Sequence, residues 1–160
     1  MAVDQFLKID DVKGEAQDKV HRDEIDVLAW SWGVSQSGTT HLGSGSGAGK
    51  ASFQDISITK WVDHSSATLM LAVANGKHFK EAKLTVRKAG ENPLEYVIIK
   101  MKDVIITSVS TGGSGGEDRL TENVALNFGA VEYEYTMQKP DGGKGATIPF
   151  KWDIASNEKL

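Results

Sequence analysis

The sequence contains no cysteine, which excludes disulfides, thiolate catalysis and cysteine-ligated metals. Basic residues are not in excess either: 18 lysines and arginines face 22 aspartates and glutamates, whereas nucleic acid or an anionic membrane attracts a basic patch. No apolar run approaches the roughly 20 residues of a membrane span. The first eight residues carry an acid and lack the apolar stretch of a secretory signal. We therefore predict neither a nucleic-acid partner nor a membrane partner.

Catalytic and metal-binding patterns are also missing. The four histidines are scattered without an i, i+4 pair, so we interpret them as surface or loop residues; they are His21, His41, His64 and His78. Glu117 and Asp118 are neighbours and would point apart on an extended chain. No Gly-x-Ser-x-Gly motif is present, and Ser31 has no nearby base. We predict no enzyme, no catalytic residue, no metal and no cofactor.

The glycine-rich stretch between Ser35 and Ser52 resembles nucleotide-binding loops only superficially. Residues 43–48 fit the relaxed dinucleotide pattern, but a predicted strand follows where a helix N-terminus would have to hold the phosphates. Residues 44–51 approach a P-loop, but Ala51 replaces the hydroxyl residue that binds magnesium. We interpret the stretch as a flexible loop, of a length that is usually functional or disordered.

A long hairpin dominates the second half of the chain. The run Val104–Thr107 leads into a loop with four glycines in five positions, and a strand containing Val124, Leu126 and Phe128 returns. Both runs alternate apolar and polar residues, as a half-buried antiparallel pair does. The apolar phase shifts by one residue at Gly129-Ala130, which predicts a β-bulge there.

The remaining segments predict about seven strands and one short helix. A strand over 24–34 would place Leu28 and Trp30 on one face, and Ile25, Val27, Ala29 and Ser31 on the other. Ser65 or Ser66 could cap a helix through its hydroxyl, and Gly76 could end it. We predict a single domain, residues 1–160, that is mostly β: an antiparallel barrel or sandwich with one short α-helix.

The hairpin and several other runs resemble the haemolysin-coregulated protein (Hcp) family, the tube subunit of bacterial type VI secretion. The residues that carry the resemblance span nearly the whole chain: 1–9, 11–15, 24–33, 76–78, 84–90 and 110–128. The resemblance implies a hexameric ring with a wide channel. It also implies that rings stack into a tube, which a contractile sheath expels together with small effector proteins.

The same resemblance implies partners and a location. The partners would be copies of the chain, the spike protein, the sheath and the effectors. The protein would be cytoplasmic before firing and then extracellular, without a signal peptide. The family's loop after the second strand reaches the adjacent ring, and the matching residues are Ser37–Lys50, which include Gly38, Gly43, Gly45, Gly47, Gly49 and Lys50.

Residue patterns suggest further contacts. Only small side chains occupy the strand face near Ser31 and Gly33, so these two residues could line the channel and bind effectors, or simply pack tightly. Phe53 and Trp61 lie off the predicted core face, which suggests a contact between subunits. Glu117, Asp118 and Arg119 could form ion pairs with a neighbouring chain.

Two alternatives remain open from the residues themselves. A monomeric secreted β-domain could bind carbohydrate or protein, with Trp61 and Tyr133 stacking on sugars. A glycan hydrolase could use Glu117 or Glu122, but it would require two facing carboxylates at a fixed separation.

Overall fold

The computed structural model describes residues 3–38 and 49–160. Within those residues it has ten strands and one helix. They are β1 (Val3–Ile9), β2 (Ile25–Ser31), β3 (Val34–Ser35), β4 (Ser52–Phe53), β5 (Ile56–Trp61), α1 (Ser66–Asn75), β6 (His78–Lys88), β7 (Leu94–Thr111), β8 (Thr121–Gln138), β9 (Lys144–Asp153) and β10 (Glu158–Lys159).

Six strands close into an antiparallel barrel. Their order is β8-β5-β2-β1-β6-β7, and β7 pairs back onto β8 to complete the circle. Apolar residues alternate along these strands, so one side chain in two points inward and fills the barrel. The largest fully buried apolar side chains are Leu7, Ile9, Ile25, Ile56, Ile58, Leu69, Leu84, Ile99, Met101, Ile106 and Leu126. The predicted mostly β fold with one short helix is confirmed.

The predicted hairpin is the longest unit of the fold. β7 and β8 each contain 18 residues and remain paired from Val97–Tyr135 to Thr111–Glu122. On its other edge, β8 pairs with two different strands. Residues 121–126 pair with β5 inside the barrel, whereas residues 130–138 pair with β9, which lies outside it. The hairpin therefore extends beyond the barrel as an open sheet.

The phase shift at Gly129-Ala130 is real, but the predicted β-bulge is wrong. The β7–β8 register is the same on both sides of this point, with Lys102 opposite Ala130 and Val104 opposite Phe128. The partner strand shifts its inward phase at the same level, where Asp103 has a φ of 53°. Because both strands gain one residue together, neither bulges against the other.

The predicted faces of the second strand are also wrong. A register irregularity lies between Val27 and Ala29, so Leu28 is an extra residue on that strand. Val27 points inward before the irregularity, and Trp30 packs against the core after it, whereas Leu28 is exposed. A uniform two-residue period could not reveal this change of phase.

The helix begins and ends where the sequence predicts, but its first turn is held differently. Gly76 adopts the left-handed conformation (φ 67°), and its N–H donates to the Ala72 carbonyl. Ser65 stands at the N-cap position without a capping bond from its side chain. Its hydroxyl donates to Asp63 (2.5 Å), and the Ser66 hydroxyl donates to Glu122 (2.5 Å). The Asp63 carboxylate also accepts from the Ser65 backbone N–H (2.8 Å), so a carboxylate rather than a serine hydroxyl binds the backbone at the start of the helix.

Candidate assembly surfaces

The open sheet formed by β9 and residues 130–138 of β8 is here called the wing. One of its faces continues the barrel core, because Val131 is buried opposite Met101 and Trp152. Tyr133 and Phe150, which are paired across the two strands, lie next along this face. The wing therefore carries an apolar surface outward from the closed barrel.

β3 and β4 pair with each other as a separate two-stranded sheet, here called the β3–β4 ribbon. The part of the wing face nearest the barrel is covered by Phe53 of this ribbon and by Trp32, which lies just before it. Trp32 stacks on Tyr133, with ring centroids 6.3 Å apart. Phe53 stacks on Phe150 and on Trp152, both at 6.5 Å. The Trp32 indole N–H also donates to the Gln54 carbonyl (3.0 Å). These contacts fix both ends of the segment that carries the glycine-rich loop.

The outer part of the wing face is exposed and carries no charge. We call it the wing strip; it consists of Tyr135, Met137 and Ile148, together with the exposed edge of Phe150. Among the described residues, β10 pairs with β9 only at Trp152 and Asp153. The rest of that strand edge offers backbone groups to a partner, although Pro149 removes one donor.

The helix presents a second uncharged apolar surface. Leu69 and Ala72 are buried against the barrel, and Val73 lies at the edge of that buried side, whereas Met70 and Leu71 are exposed; we call these last two residues the helix face. The sequence Ser66–Asn75 contains no charged residue at all. An outward helix side is normally polar in a monomer, so this one fits a contact with another surface.

A buried ion cluster fixes the start of the helix to the barrel. Lys60 and Glu122 are fully buried and form an ion pair across β5 and β8. The Lys60 ammonium also contacts Asp63 (3.0 Å), the Trp61 carbonyl (2.8 Å) and the Ser66 hydroxyl (3.3 Å). Sequence reasoning missed this cluster. Its signal was present, because Lys60 shares the inward phase of Ile58, and Glu122 shares that of Val124.

The outward face in the middle of β2, β5 and β8 carries small, uncharged and mostly polar side chains. Ser31 is exposed and lies opposite Ser57, which in turn lies opposite Ala125. Thr59 donates a hydrogen bond to Asn123 across the next rung (2.8 Å). This group lines a shallow depression of about 270 Å³. Gly33 is half-buried beside Gln54, whose Oε1 would lie 2.9 Å from an added Cβ.

The predicted charged contact lies at the tip of the hairpin. The Arg119 guanidinium stacks over the ring of Trp61 at 4.4 Å from its centroid. With Glu117, Asp118 and Thr121 they line an open groove of about 470 Å³. The Val62 N–H donates to the Leu120 carbonyl (2.9 Å), which places this groove beside the start of the helix.

The predicted ring-stacking loop is described only at its ends. Gly38 and Lys50 are exposed, and a Cβ added to Gly49 would meet the Ser37 hydroxyl at 2.6 Å. Gly43, Gly45 and Gly47 lie outside the described residues.

The segment between β1 and β2 contains buried side chains, although most of its residues are polar. His21 was interpreted as a surface or loop residue, but it is 4% exposed and stacks on Phe6 at 4.5 Å. Its two ring nitrogens lie 2.9 Å from Glu24 and 2.7 Å from Glu95. The loop thus packs over the outer side of β1, which local polarity could not indicate.

An ion pair in the same region lowers the pKa of an aspartate. The Arg87 guanidinium donates two hydrogen bonds to Asp18 (2.6 and 3.0 Å) and one to Asp4 (3.0 Å). The bond from Arg87 holds the pKa of the Asp18 carboxyl well below its ordinary value, against the opposing effect of burial.

Residues 3–38 and 49–160 contain no group of three or more histidines, aspartates and glutamates able to hold a metal ion. The helix described there, ten residues long, is too short to cross a bilayer.

Taken together, these features define a closed antiparallel β-barrel protein that carries an open wing and two uncharged apolar surfaces. The sequence model of the family described as "Type VI secretion system effector, Hcp" matches residues 6–135. The chain belongs to this Hcp family, and the predicted function, a tube protein of type VI secretion, is confirmed. Proteins of this family are secreted.

Individual relatives agree with this assignment. Protein hcp1 of Pseudomonas aeruginosa is 60% identical over 159 residues, which cover 98% of each chain. A solved structure described as a type six secretion system protein superposes with a TM-score of 0.94, at 31% identity over 99% of this chain and 100% of that one. Hcp1 from Salmonella typhimurium gives a TM-score of 0.82, at 35% identity over the full length of both chains.

Proposed function

We propose that this chain assembles head to tail into hexameric rings, and that the rings stack into a tube whose channel carries small effector proteins. The observation that supports this most directly is the wing, which continues the barrel core onto an open sheet. A monomer would leave the wing strip in water at a cost of roughly 25 cal/mol for each Å² of apolar surface. Burial against another copy would recover that free energy.

The competing proposal, a monomeric domain that binds sugars, has little support in the side-chain contacts. Tyr133 packs against Trp32, and Trp61 lies under the Arg119 guanidinium. Both aromatic rings proposed for sugar stacking therefore already have intramolecular partners on one face.

Native mass spectrometry over a range of protein concentrations tests the assembly. We expect a particle of six times the 17.3 kDa chain mass, and electron microscopy should show rings of that particle. A chain that stays monomeric at every concentration and salt would contradict the proposal.

Ser31 and Gly33 are proposed to face the channel. The support is chemical: the outward face around Ser31, Ser57 and Asn123 is exposed and uncharged. Effectors of different charge could move along such a face without being held there by ion pairs.

A Ser31→Gln substitution tests this role. We expect ring mass to be unchanged and effector retention to fall, because the longer side chain would project from this face. Retention is measured by co-purification of effectors with the rings. Unchanged effector levels would remove Ser31 from the proposed channel.

Further partners and the route of release also belong to this proposal. We expect the tube to contact a spike protein at its end and a sheath around it, and the protein to be cytoplasmic before firing and extracellular afterwards. Cross-linking of rings in cells before firing would identify both contacts, and fractionation would follow the release.

A further inference from the structure

The connection between β1 and β2 is an ordered loop that packs on the outer side of the barrel; we call its residues 14–24 the strap. The two ends of the strap are hydrogen-bonded to each other. The Gly14 N–H donates to the Asp23 carbonyl (2.8 Å), and the Ala16 N–H donates to the Glu24 carbonyl (2.9 Å). Ala16 is buried, and a Cβ added to Gly14 would overlap the Glu24 carbonyl. The strap is therefore one compact unit.

In the part of the chain that the structure describes, three side chains of the strap bond to residues outside it. Glu15 accepts from the His64 backbone N–H (2.8 Å), a donor that does not titrate. Asp18 accepts two hydrogen bonds from Arg87, and this pairing holds the pKa of the Asp18 carboxyl well below its ordinary value. Neither contact changes its charge near neutral pH. The third side chain is that of His21, which bonds to β7.

The buried ring of His21 lies between two carboxylates. Its Nδ1 is 2.9 Å from Glu24 at the end of the strap, and its Nε2 is 2.7 Å from Glu95 on β7. An ionised carboxylate only accepts hydrogen bonds, so both ring nitrogens must carry a proton if both contacts are hydrogen bonds. The imidazolium therefore fits this site, whereas the neutral ring would turn a lone pair towards one carboxylate.

We infer that the protonated ring of His21 fastens the strap to β7, and that loss of one ring proton as the pH rises releases this end of the strap. An unfolded histidine loses that proton near about pH 6.5. Because the fold binds the charged ring, its contribution is complete at low pH and is lost as the pH rises. Proteins of this family are secreted, so the chain passes between aqueous surroundings, and this contact responds to a difference in pH between them.

Three neighbouring strands bring further charged groups close to the ring. His21 stacks on Phe6 of β1, and the Arg87 guanidinium of β6 lies 5.1 Å from the centroid of the Phe6 ring. Arg87 also binds Asp4 (3.0 Å) and stays charged throughout this pH range. Asp26 of β2 lies opposite Phe6, and burial raises the pKa of its carboxyl. Its titration must therefore be separated from that of His21 by a variant.

Hydrogen exchange measured by mass spectrometry on the assembled wild-type protein tests the inference. The protection of the strap is compared at about pH 5.5 and about pH 8.5, on either side of the titration of an unfolded histidine. Each value is divided by the exchange rate of the unfolded peptide at the same pH. We expect protection to fall roughly tenfold or more at the higher pH, because a hydrogen bond to a charged group is lost. The strand His78–Lys88 should keep its protection.

Glu95→Gln is the decisive variant, because an amide both donates and accepts. Its oxygen can accept from the imidazolium at low pH, and its NH₂ group can donate to the neutral ring at high pH. The strap of this variant should therefore stay protected at both pH values. His21→Asn carries no charge at any pH, so its strap should show the lower protection at both. If His21→Asn does not fold, the comparison of wild type with Glu95→Gln decides.

Glu91→Gln and Asp26→Asn are the controls. Glu91 lies in the exposed turn before β7, and Asp26 is the other titrating group beside Phe6. Both variants should keep the fall in protection that the wild type shows. The inference is overturned if wild-type protection does not change with pH, if Asp26→Asn abolishes the change, or if Glu95→Gln loses protection at both pH values.

Discussion

At the scale of single residues, the most consequential feature is a lysine inside the barrel. Lys60 follows Ile56 and Ile58 in the inward phase of β5, and its ammonium is satisfied by Glu122, Asp63 and a carbonyl. Breaking a buried ion pair leaves the other charge without compensation, which is far more costly than removing both.

Lys60→Met should lower the free energy of unfolding by about 3–5 kcal/mol. The double variant Lys60→Met/Glu122→Gln should recover a large part of that loss, because the remaining amide carries no charge. Urea denaturation at one fixed protein concentration measures both, since association also stabilises the folded chain. Equal losses in the single and double variants would contradict the ion-pair explanation.

Asp18 gives the protein a predictable response to acid. Arg87 depresses the pKa of this carboxyl in the folded state, so its contribution is fully present above the unfolded pKa of about 3.9. The contribution decreases as the pH falls below that value towards the lower folded pKa. Stability should therefore decline on acidification below about pH 4.

Asp18→Asn isolates this effect. The variant should be less stable at neutral pH by about 1–3 kcal/mol, the usual contribution of a hydrogen bond to a charged group. The difference from the wild type should shrink as the pH falls below about 4, because the wild-type Asp18 carboxylate then takes up a proton in the unfolded state, whereas asparagine does not titrate. A difference that stays constant across this range would show that the asparagine acts through packing instead.

At the scale of elements, the β3–β4 ribbon is the base of the glycine-rich loop. Trp32 and Phe53 anchor it to Tyr133, Phe150 and Trp152 on the wing. The anchor lies outside residues 43–49, so those residues can be removed without disturbing the aromatic contacts.

Deletion of residues 43–49 should leave rings intact and abolish tubes, because the loop is predicted to reach the adjacent ring. Electron microscopy distinguishes the two outcomes. A Gly–Ser segment of the same length serves as the control and separates loop length from side-chain contacts. Normal tubes from the shortened chain would refute the stacking role.

At the scale of the whole molecule, the hairpin tip contacts the strand that precedes the helix, and we predict that it also contacts a neighbouring copy. Arg119 lies over Trp61, and the backbone of Leu120 binds that of Val62 just before the helix. Charges at this site can act at the rim of an interface without forming part of the core.

Reversal of the three charges, by Glu117→Lys, Asp118→Lys and Arg119→Glu, should shift the particle mass to that of one chain in light scattering. The physical reason is that a neighbour's complementary charges would then repel the tip. Glu91→Lys, in an exposed turn, is the control and should leave the mass unchanged. A triple variant of normal mass would show that the tip is merely solvated.

The sequence alone determined the class of fold, the hairpin, the helix limits and the family. These depend on local signals: alternation along Val124–Phe128, the conformational freedom of Gly76, and runs shared with relatives. The sequence also contained a signal for the buried ion pair, because Lys60 and Glu122 are charged residues at inward-facing positions of two strands.

Only the tertiary structure decided which surfaces remain uncovered. The extra residue at Leu28 changes which side chains of β2 point inward. In the β7–β8 hairpin, the irregularities at Asp103 and Gly129 lie opposite each other, so the pairing register is kept where the sequence predicted a β-bulge. His21 is buried by a loop whose own sequence is polar. Each of these outcomes depends on contacts between residues far apart in the chain, and no local pattern encodes where such segments meet.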